Sequence, residues 1–581
     1  MTLKPLADTQ GSLPKALRPI WEQLRQQNIT TINEGLDAFS KLAEESPTTA
    51  DHIFDSVGVS PRPSSQSAIV GLDRGSRFSR VDKEADRCLL YALLGLLSRA
   101  PIRSRGAELR QCIQCLDLEC PAIPELQGFV GLMDLKLSIW HPCESNTKPH
   151  DYCLSDRIAP FPCLEKLELQ ARGGDCAHKI ESLDWLPAPK LRKLKASDVG
   201  LKSIEGLREI STLETVDLSY NASLSDLTPL SSSADRLSSL DLFQTGIDGL
   251  AGIAGLKQLN ELNISNCLQI TSFESLREIT ISQQQLFISG LTGLTSLSSF
   301  PRFTGERLDL HGLPRITQLD GLESCTELRS IHISSLHNLA DVSALQRLSG
   351  LKEFAIWNCT ALASLQCLET LPDLVEVRIL DCAKLHQLPR SWPATVRSLE
   401  IGRCAITEIG RLPVDMDGEL VFSDCPDLGT LSGVEGCSKL TSIRVGAQPR
   451  DLSAMASLPD TWLSVDFQYD EKHWQFTDPL VDALATLPVC RLRIMRMHNP
   501  EQLWNWGLKA SDLAPLSRIP HLKALDLSDL DVDGVAFVMG LEELEVLKVA
   551  PRSELSKALG GCTFDSATEI AKLKLSLLGM G

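Results

Sequence analysis

Apolar residues along the chain recur in one short phrase. In Leu213-Glu-Thr-Val-Asp-Leu-Ser-Tyr-Asn221 they stand at positions 1, 4 and 6, with polar residues between, and the phrase closes on Asn. Leu259–Cys267, Leu351–Cys359, Leu374–Cys382 and Val396–Cys404 repeat it with Cys at position 9. Looser copies begin at Leu164, Leu191, Leu237, Leu276, Gly305, Leu328, Asp417, Leu440, Trp462, Val489, Leu522 and Leu544, and degenerate ones lie near Ile113 and Leu132. Alternation through positions 4 to 6 predicts a strand with one buried face. Positions 1, 4 and 6 then point inward, and 2, 3, 5, 7 and 8 point outward. At position 9 the chain turns away. An Asn there can bond backbone groups that the turn leaves unpaired, and Cys is small with a weak S–H donor. Segments such as Leu362–Leu371 make the return and predict short helices, helical turns or extended pieces.

The starts at 305, 328, 351, 374, 396, 417, 440 and 462 are separated by 23, 23, 23, 22, 21, 23 and 22 residues. This L-x-x-L-x-L-x-x-N/C pattern over roughly residues 110–550 resembles the leucine-rich repeat, whose period is about 20–29 residues. The short period looks most like the internalin and phosphatase-regulator subclass. Cys382-Ala-Lys-Leu-His-Gln-Leu-Pro389 is also similar to repeats of plant nucleotide-binding immune receptors, whose nucleotide-binding domain has no counterpart here. The resemblance implies an α/β solenoid of about 17 to 19 irregular repeats. It would carry a curved parallel sheet on the concave face, short returns on the convex face, and an α-helical N-terminal region.

The rhythm breaks in three places. A 29-residue step from Leu276 to Gly305 suggests an insert near 282–304. Steps of 27 and 33 residues follow Trp462 and Val489 and suggest inserts near 470–520, which carry Trp474, Trp504 and Trp506. Inserts in a solenoid are frequent binding elements. Residues 1–110 lack the repeat. They show helical spacing at 13–24, 32–42 and 84–100 and an exposed linker near 60–67, and so read as a helical module or cap. Residues 111–552 form the repeat region. The last segment, 553–581, holds a helix over Asp565–Leu575 and suits a C-terminal cap.

Composition narrows the function classes. The 581 residues include 57 Lys+Arg and 75 Asp+Glu, a formal charge of −18. That argues against a nucleic-acid binder and against docking on anionic membranes. Only 5% of residues are aromatic against 43% hydrophobic, as an aliphatic repeat core requires. The start lacks a charged-then-apolar leader, and the apolar run Cys88–Leu97 is too short to span a bilayer, so a cytoplasmic protein is expected. No phosphate-binding loop, H-E-x-x-H or G-x-S-x-G motif occurs, so no catalytic residue, cofactor or enzymatic activity is expected.

The 18 cysteines need a reducing-compartment reading. Cys267, Cys359, Cys382, Cys404 and Cys425 fall at position 9, and Cys325, Cys367 and Cys437 in returns, where a buried thiol behaves as a small apolar residue. Cys112, Cys115, Cys120, Cys143, Cys153, Cys163 and Cys176, with His141, His150 and His178, form a looser group. Cys112-Ile-Gln-Cys115 has zinc-compatible spacing, but no second C-x-x-C pair follows, so no metal site is expected.

The register then gives the outward residues. Asp217, Asp241, Asn263, Asp309, His332, Arg378, Glu400, Arg444, Asp466 and Arg493 stand at position 5, acidic at first and mixed later. Tyr220, Phe243, Trp357 and Tyr469 add large side chains, and Arg403, Arg491 and Arg496 add charge. Aromatics and Arg are preferred interface anchors, and Trp357 with Arg378 and Arg403 is the favoured hot spot. The expected function is a non-enzymatic scaffold that binds a protein partner through the concave face and the Trp-bearing inserts. The alternative is a sensor or effector in bacterial defence or host–pathogen interaction, signalling through the N-terminal helices.

Overall fold

The computed structural model describes residues 14–56 (except 25, 27 and 28), 68–70, 83–140 (except 102, 103, 112 and 121–124), 161–172, and 180–446 (except 187). It further describes 451–458, 461–467, 478–496, 509–551 (except 531 and 535) and 554–578. The linker expected near 60–67 lies outside the described residues. The chain divides into two compact units, Met1–Gln283 with Gly290–Gly293, and Gln284–Ser289 with Leu294–Gly581.

The first unit opens with helices Arg18–Leu24, Ile29–Glu45, Pro47–Ser56, Lys83–Ser98 and Arg105–Gln111. Trp21, Leu36, Phe39, Phe54 and Tyr91 are buried between them, with Phe39 and Phe54 edge to face at 6.2 Å. Gly95 lets two helices close: a Cβ there would stand 2.5 Å from Leu36 Cδ1. A parallel eight-stranded sheet follows, running from Ala68–Val70 through Ile113–Cys120, Asp134–Trp140 and Lys166–Arg172 to Glu261–Asn263. Its last four strands, Lys193–Lys195, Thr215–Asp217, Ser239–Asp241 and Glu261–Asn263, have three residues each. At the end of this sheet the Gln283 side chain accepts the Leu262 N–H at 2.8 Å.

The second unit is a 13-stranded sheet, parallel from Gln285–Ser289 to Val546–Val549 and closed by the antiparallel Thr563–Phe564. The terminal helix Ala567–Leu578 follows it. Five-residue strands pair in strict register: Leu308, Ile331, Phe354, Val377 and Leu399 form one inward column, and Leu310, Ile333, Ile356, Ile379 and Ile401 the next. All ten are at most 1% exposed. Each such side chain stabilises the fold by about 1.5–3 kcal/mol. Returns in both units include short 3-10 turns, such as Glu205–Leu207 and Gln366–Thr370, and one in the second is the α-helix Asp478–Ala485.

Two register expectations need correction. The strand expected from Leu276 is reduced to Thr280–Ile281, and within the expected insert Gln285–Ser289 forms a further strand that pairs residue for residue with Arg307–His311. This repeat therefore has its position 1 at Gln283, and the 282–304 stretch contains a repeat strand. The Trp462 start is also displaced. Arg444 pairs with Ser464, so Ser464 holds position 5 and Asp466 falls at position 7. In both places two apolar residues offered alternative phases, and pairing with the neighbouring strand decided between them.

Position 8 carries a feature common to both units. All nine non-glycine residues with positive φ among the described residues stand there: Asp198, Tyr220, Gln244, Asn266, Ser335, Asn358, Asp381, Arg403 and Asp424, at φ 50–62°. Gly290 and Gly312 fill the same place. The left-handed residue swings the chain off the sheet while its N–H still reaches the next repeat, as in Tyr220 to Phe243 O (2.7 Å) and Asn358 to Leu380 O (3.0 Å). Asn, Asp and Gly tolerate this conformation best, and they fill seven of the eleven places.

Candidate functional site

Position 9 explains how the turns hold together. Asn221 is fully buried, and its amide bridges successive repeats. Its Nδ2 donates to Ala196 O and Leu218 O at 2.8 Å, and its Oδ1 accepts from Gly200 N (3.0 Å) and Leu201 N (2.9 Å). Where Cys replaces it, the thiol makes fewer bonds: Cys267 donates to Leu242 O at 3.0 Å and Cys404 to Gly402 O at 3.2 Å. The position-9 cysteines are free and buried. Burial pushes Cys359 up to about 11 and Cys425 up to about 12, so both stay protonated and unreactive near neutral pH.

On the outward face of the first unit, Asp217 and Asp241 turn back on their own chain. Asp217 accepts the Ser219 N–H at 3.1 Å and Asp241 the Phe243 N–H at 2.9 Å. Burial raises the Asp241 carboxyl above its usual range, and the charge of Asp217 adds to the effect. Tyr220 is 49% exposed and packs at 5.0 Å against Phe243, so these two expected anchors do come together.

The second unit gathers more. Asp309 is buried and accepts from Gln285 Nε2 at 2.7 Å and Arg307 Nε at 3.1 Å. His332 Nδ1 lies 3.2 Å from Asp309 and 2.8 Å from Arg307 Nη2. Burial alone would raise the Asp309 carboxyl, but hydrogen bonds from His332, Arg307 and Gln285 outweigh it and hold it down at about 2. The His332 ring then meets Trp357 edge-on at 5.4 Å. Three expected residues, Asp309, His332 and Trp357, thus form one braced chain across successive strands. The residues that complete the brace, Arg307 and Gln285, were missed by the sequence reading. Both stand at position 3, outward and two residues from position 5.

Arg378 and Arg403, expected to flank Trp357 one and two repeats on, are each held by acids. Arg378 pairs with Glu376 at 2.5 Å and approaches Glu400 at 3.7 Å. Arg403 makes a two-pronged bond to Asp381, with Nη2 to Oδ2 at 2.6 Å, which holds the Asp381 carboxyl below its usual range. Arg444 takes its place in the position-5 row between Val421 and Ser464. Trp474, Trp504, Trp506 and Tyr469 lie outside the described residues. So do Cys112, Cys143, Cys153, Cys176 and the three histidines of that group. Cys115 and Cys120 sit on the Ile113–Cys120 strand, and Cys163 is half-buried. Among the described residues no three His, Cys, Asp or Glu side chains gather to hold a metal. No described helix is long and apolar enough to cross a membrane.

No family model and no curated protein sequence matches this chain. Among solved structures it is similar to the functional domain of InlJ from Listeria monocytogenes, which includes a cysteine ladder. That match has 16% identity and a TM-score of 0.33, over 65% of this chain and 80% of that one. It is also similar to the Listeria monocytogenes internalin inlF, with 14% identity and a TM-score of 0.28 over 80% and 94% of the two chains. A leucine-rich-repeat protein of Leptospira interrogans shares 13% identity at a TM-score of 0.27, over 65% of this chain and 96% of that one. The period, the parallel ladders and the inward columns of this chain are themselves those of the leucine-rich-repeat fold.

Proposed function

We propose that this chain is a non-enzymatic interaction protein that holds a protein partner on the outward face of its second sheet, around Trp357. The supporting observation is the braced indole. Trp357 sits half-buried at position 7 with its ring against His332, which Asp309 and Arg307 fix from behind. An aromatic held in one orientation by its neighbours loses little entropy on binding and suits the centre of an interface. Tyr220 and Phe243 form a smaller aromatic pair on the first unit.

Capture of the partner from native lysate by wild type, Trp357→Ala and Tyr220→Ala tests the reading. Loss of a hot-spot Trp costs about 2 kcal/mol or more, so Trp357→Ala is expected to weaken capture roughly thirtyfold with melting temperature unchanged. Equal recovery by wild type and Trp357→Ala, both folded, contradicts it.

A further inference from the structure

Behind Trp357, two bonds compete for one atom. His332 Nδ1 lies 2.8 Å from Arg307 Nη2 and 3.2 Å from Asp309 Oδ1. A guanidinium only donates and a carboxylate only accepts. A ring nitrogen carries either a lone pair or a hydrogen, so Nδ1 serves one of these partners at a time. Without a proton it accepts from Arg307. With one it donates to Asp309, and Arg307 Nη2 must draw back from the facing N–H. Arg307 can give way. Its side chain is 39% exposed, and it keeps its Nε bond to Asp309 Oδ2 at 3.1 Å. Asp309 is buried, with Gln285 Nε2 on it at 2.7 Å, and has no such freedom.

The charged neighbours set the sense of the change. The strand Arg307–His311 brings Arg307, Asp309 and His311 beside the His332 strand, and the strand Glu353–Trp357 brings Glu353, whose charge acts on Arg307. His311 bonds Ser334 Oγ at 2.7 Å, and Arg378, one strand further on, is held by Glu376 and Glu400. Asp309 is held down at about 2 and so keeps its charge wherever an imidazole changes its own. The protonated ring is therefore tied, charge to charge, to a buried carboxylate, and the neutral ring to a half-exposed guanidinium. The first tie is the firmer.

We infer that His332 is a pH-sensitive brace for Trp357. Taking a proton from solvent onto Nδ1, while Nε2 keeps its own, moves the ring from Arg307 to Asp309 and fixes the indole against it. Partner binding on this face then strengthens from mildly alkaline to mildly acidic pH. This regulation rests on the reading of Trp357 as a binding anchor, but the movement of the ring does not.

The test is fluorine NMR of the full chain labelled with fluorotryptophan, titrated from about pH 8 to about pH 5. The Trp357 resonance is the one lost in Trp357→Phe. It is expected to move in a single step, which His332→Gln abolishes and His311→Gln preserves. Arg307→Gln separates movement of the ring from its charge alone. Without the guanidinium the neutral ring can keep Nδ1–H on Asp309, so the step should shrink. Arg307→Gln also decides the matter if His332→Gln fails to fold. Capture from native lysate that depends on Trp357 should be about fivefold or more stronger at the acid end in wild type, and level across pH in His332→Gln. The inference is overturned if the Trp357 resonance stays still, if its step survives in folded His332→Gln, or if the step is unchanged in Arg307→Gln. Equal Trp357-dependent capture at both ends of the range overturns it too. If capture does not depend on Trp357 at any pH, the anchor reading fails and takes the regulation with it, and the NMR step then shows that the ring, and not the site, was read correctly.

Discussion

In the Ser239–Asp241 strand of the first unit, Asp241 accepts the N–H of Phe243, two residues further along its own chain. In the Arg307–His311 strand of the second unit, Asp309 stands at the same register position and takes its hydrogen bonds from Gln285, Arg307 and His332. The consequences differ. Where the side chain caps its own turn, as at Asp217, Asp241 and Asn263, strand pairing stops at position 5. Around Asp309, whose carboxylate the neighbouring repeats capture, and in the repeats that follow it, pairing runs on to position 7: His311 meets Ser334, Ser334 meets Trp357, and Trp357 meets Leu380. Asp526 does both, accepting from Arg493 and from the Ser528 N–H. An Asp in a one-sided strand thus has two competing uses, and the residues at positions 3 and 5 of neighbouring repeats decide which wins. Relative to the three-residue strands of the first sheet, these strands gain a third outward row, and Trp357 stands on it.

The largest expected effect breaks the comparison at position 9. Asn221→Ala leaves two backbone N–H groups and two carbonyls of the first unit without their partner, each costing about 1–3 kcal/mol if water cannot replace it. Cys404→Ala removes one weak S–H donor and a small volume, and should cost about 1 kcal/mol. Urea midpoints followed separately in the two units, by hydrogen exchange, should show the first variant opening its own unit at far lower denaturant. Similar small shifts in both would remove the Asn hub from the account.

Acid should separate the units next. Asp309 has a depressed folded value of about 2, so its stabilisation is full above about pH 4 and fades as pH falls towards 2. Asp381 is depressed in the same sense by Arg403. Asp241 is raised, so its charged form costs stability above that value and protonation relieves the cost as pH falls. Exchange rates between about pH 4.5 and 2 should therefore rise earlier around Asp309 than around Asp241. The opposite order would mean that the carboxylates are not paired as described.

The smallest effect should be the same in both units. Gln244→Gly and Ser335→Gly remove a side chain from the left-handed conformation at position 8, and each should gain about 0.5–1 kcal/mol. A gain in one unit and a loss in the other would mean that the turn is not shared.

The inward columns, the period and the use of position 9 were all legible in the sequence, because burial and turn chemistry act within a single repeat. The left-handed column was legible in principle, since Asp198, Asn266, Asn358, Asp381 and Asp424 recur at one place. The phase of Gln285–Ser289 and the fate of Asp309 were not. Both depend on a side chain one repeat away, and periodicity says nothing of which neighbour a carboxylate will choose. Nor does periodicity show that Arg378 and Arg403 are each held by an acid.

Stability at neutral pH of Asp241→Asn and Asp309→Asn, in one denaturant series, tests the capture of position 5 most directly. Asn at 241 keeps an acceptor for the Phe243 N–H, as Asn263 does for Ser265, and removes a raised carboxylate, so a gain in stability is expected. Asn at 309 weakens the charge-assisted bonds to Arg307 and His332 and should cost about 2 kcal/mol. Opposite signs support the account. Shifts of the same sign contradict it.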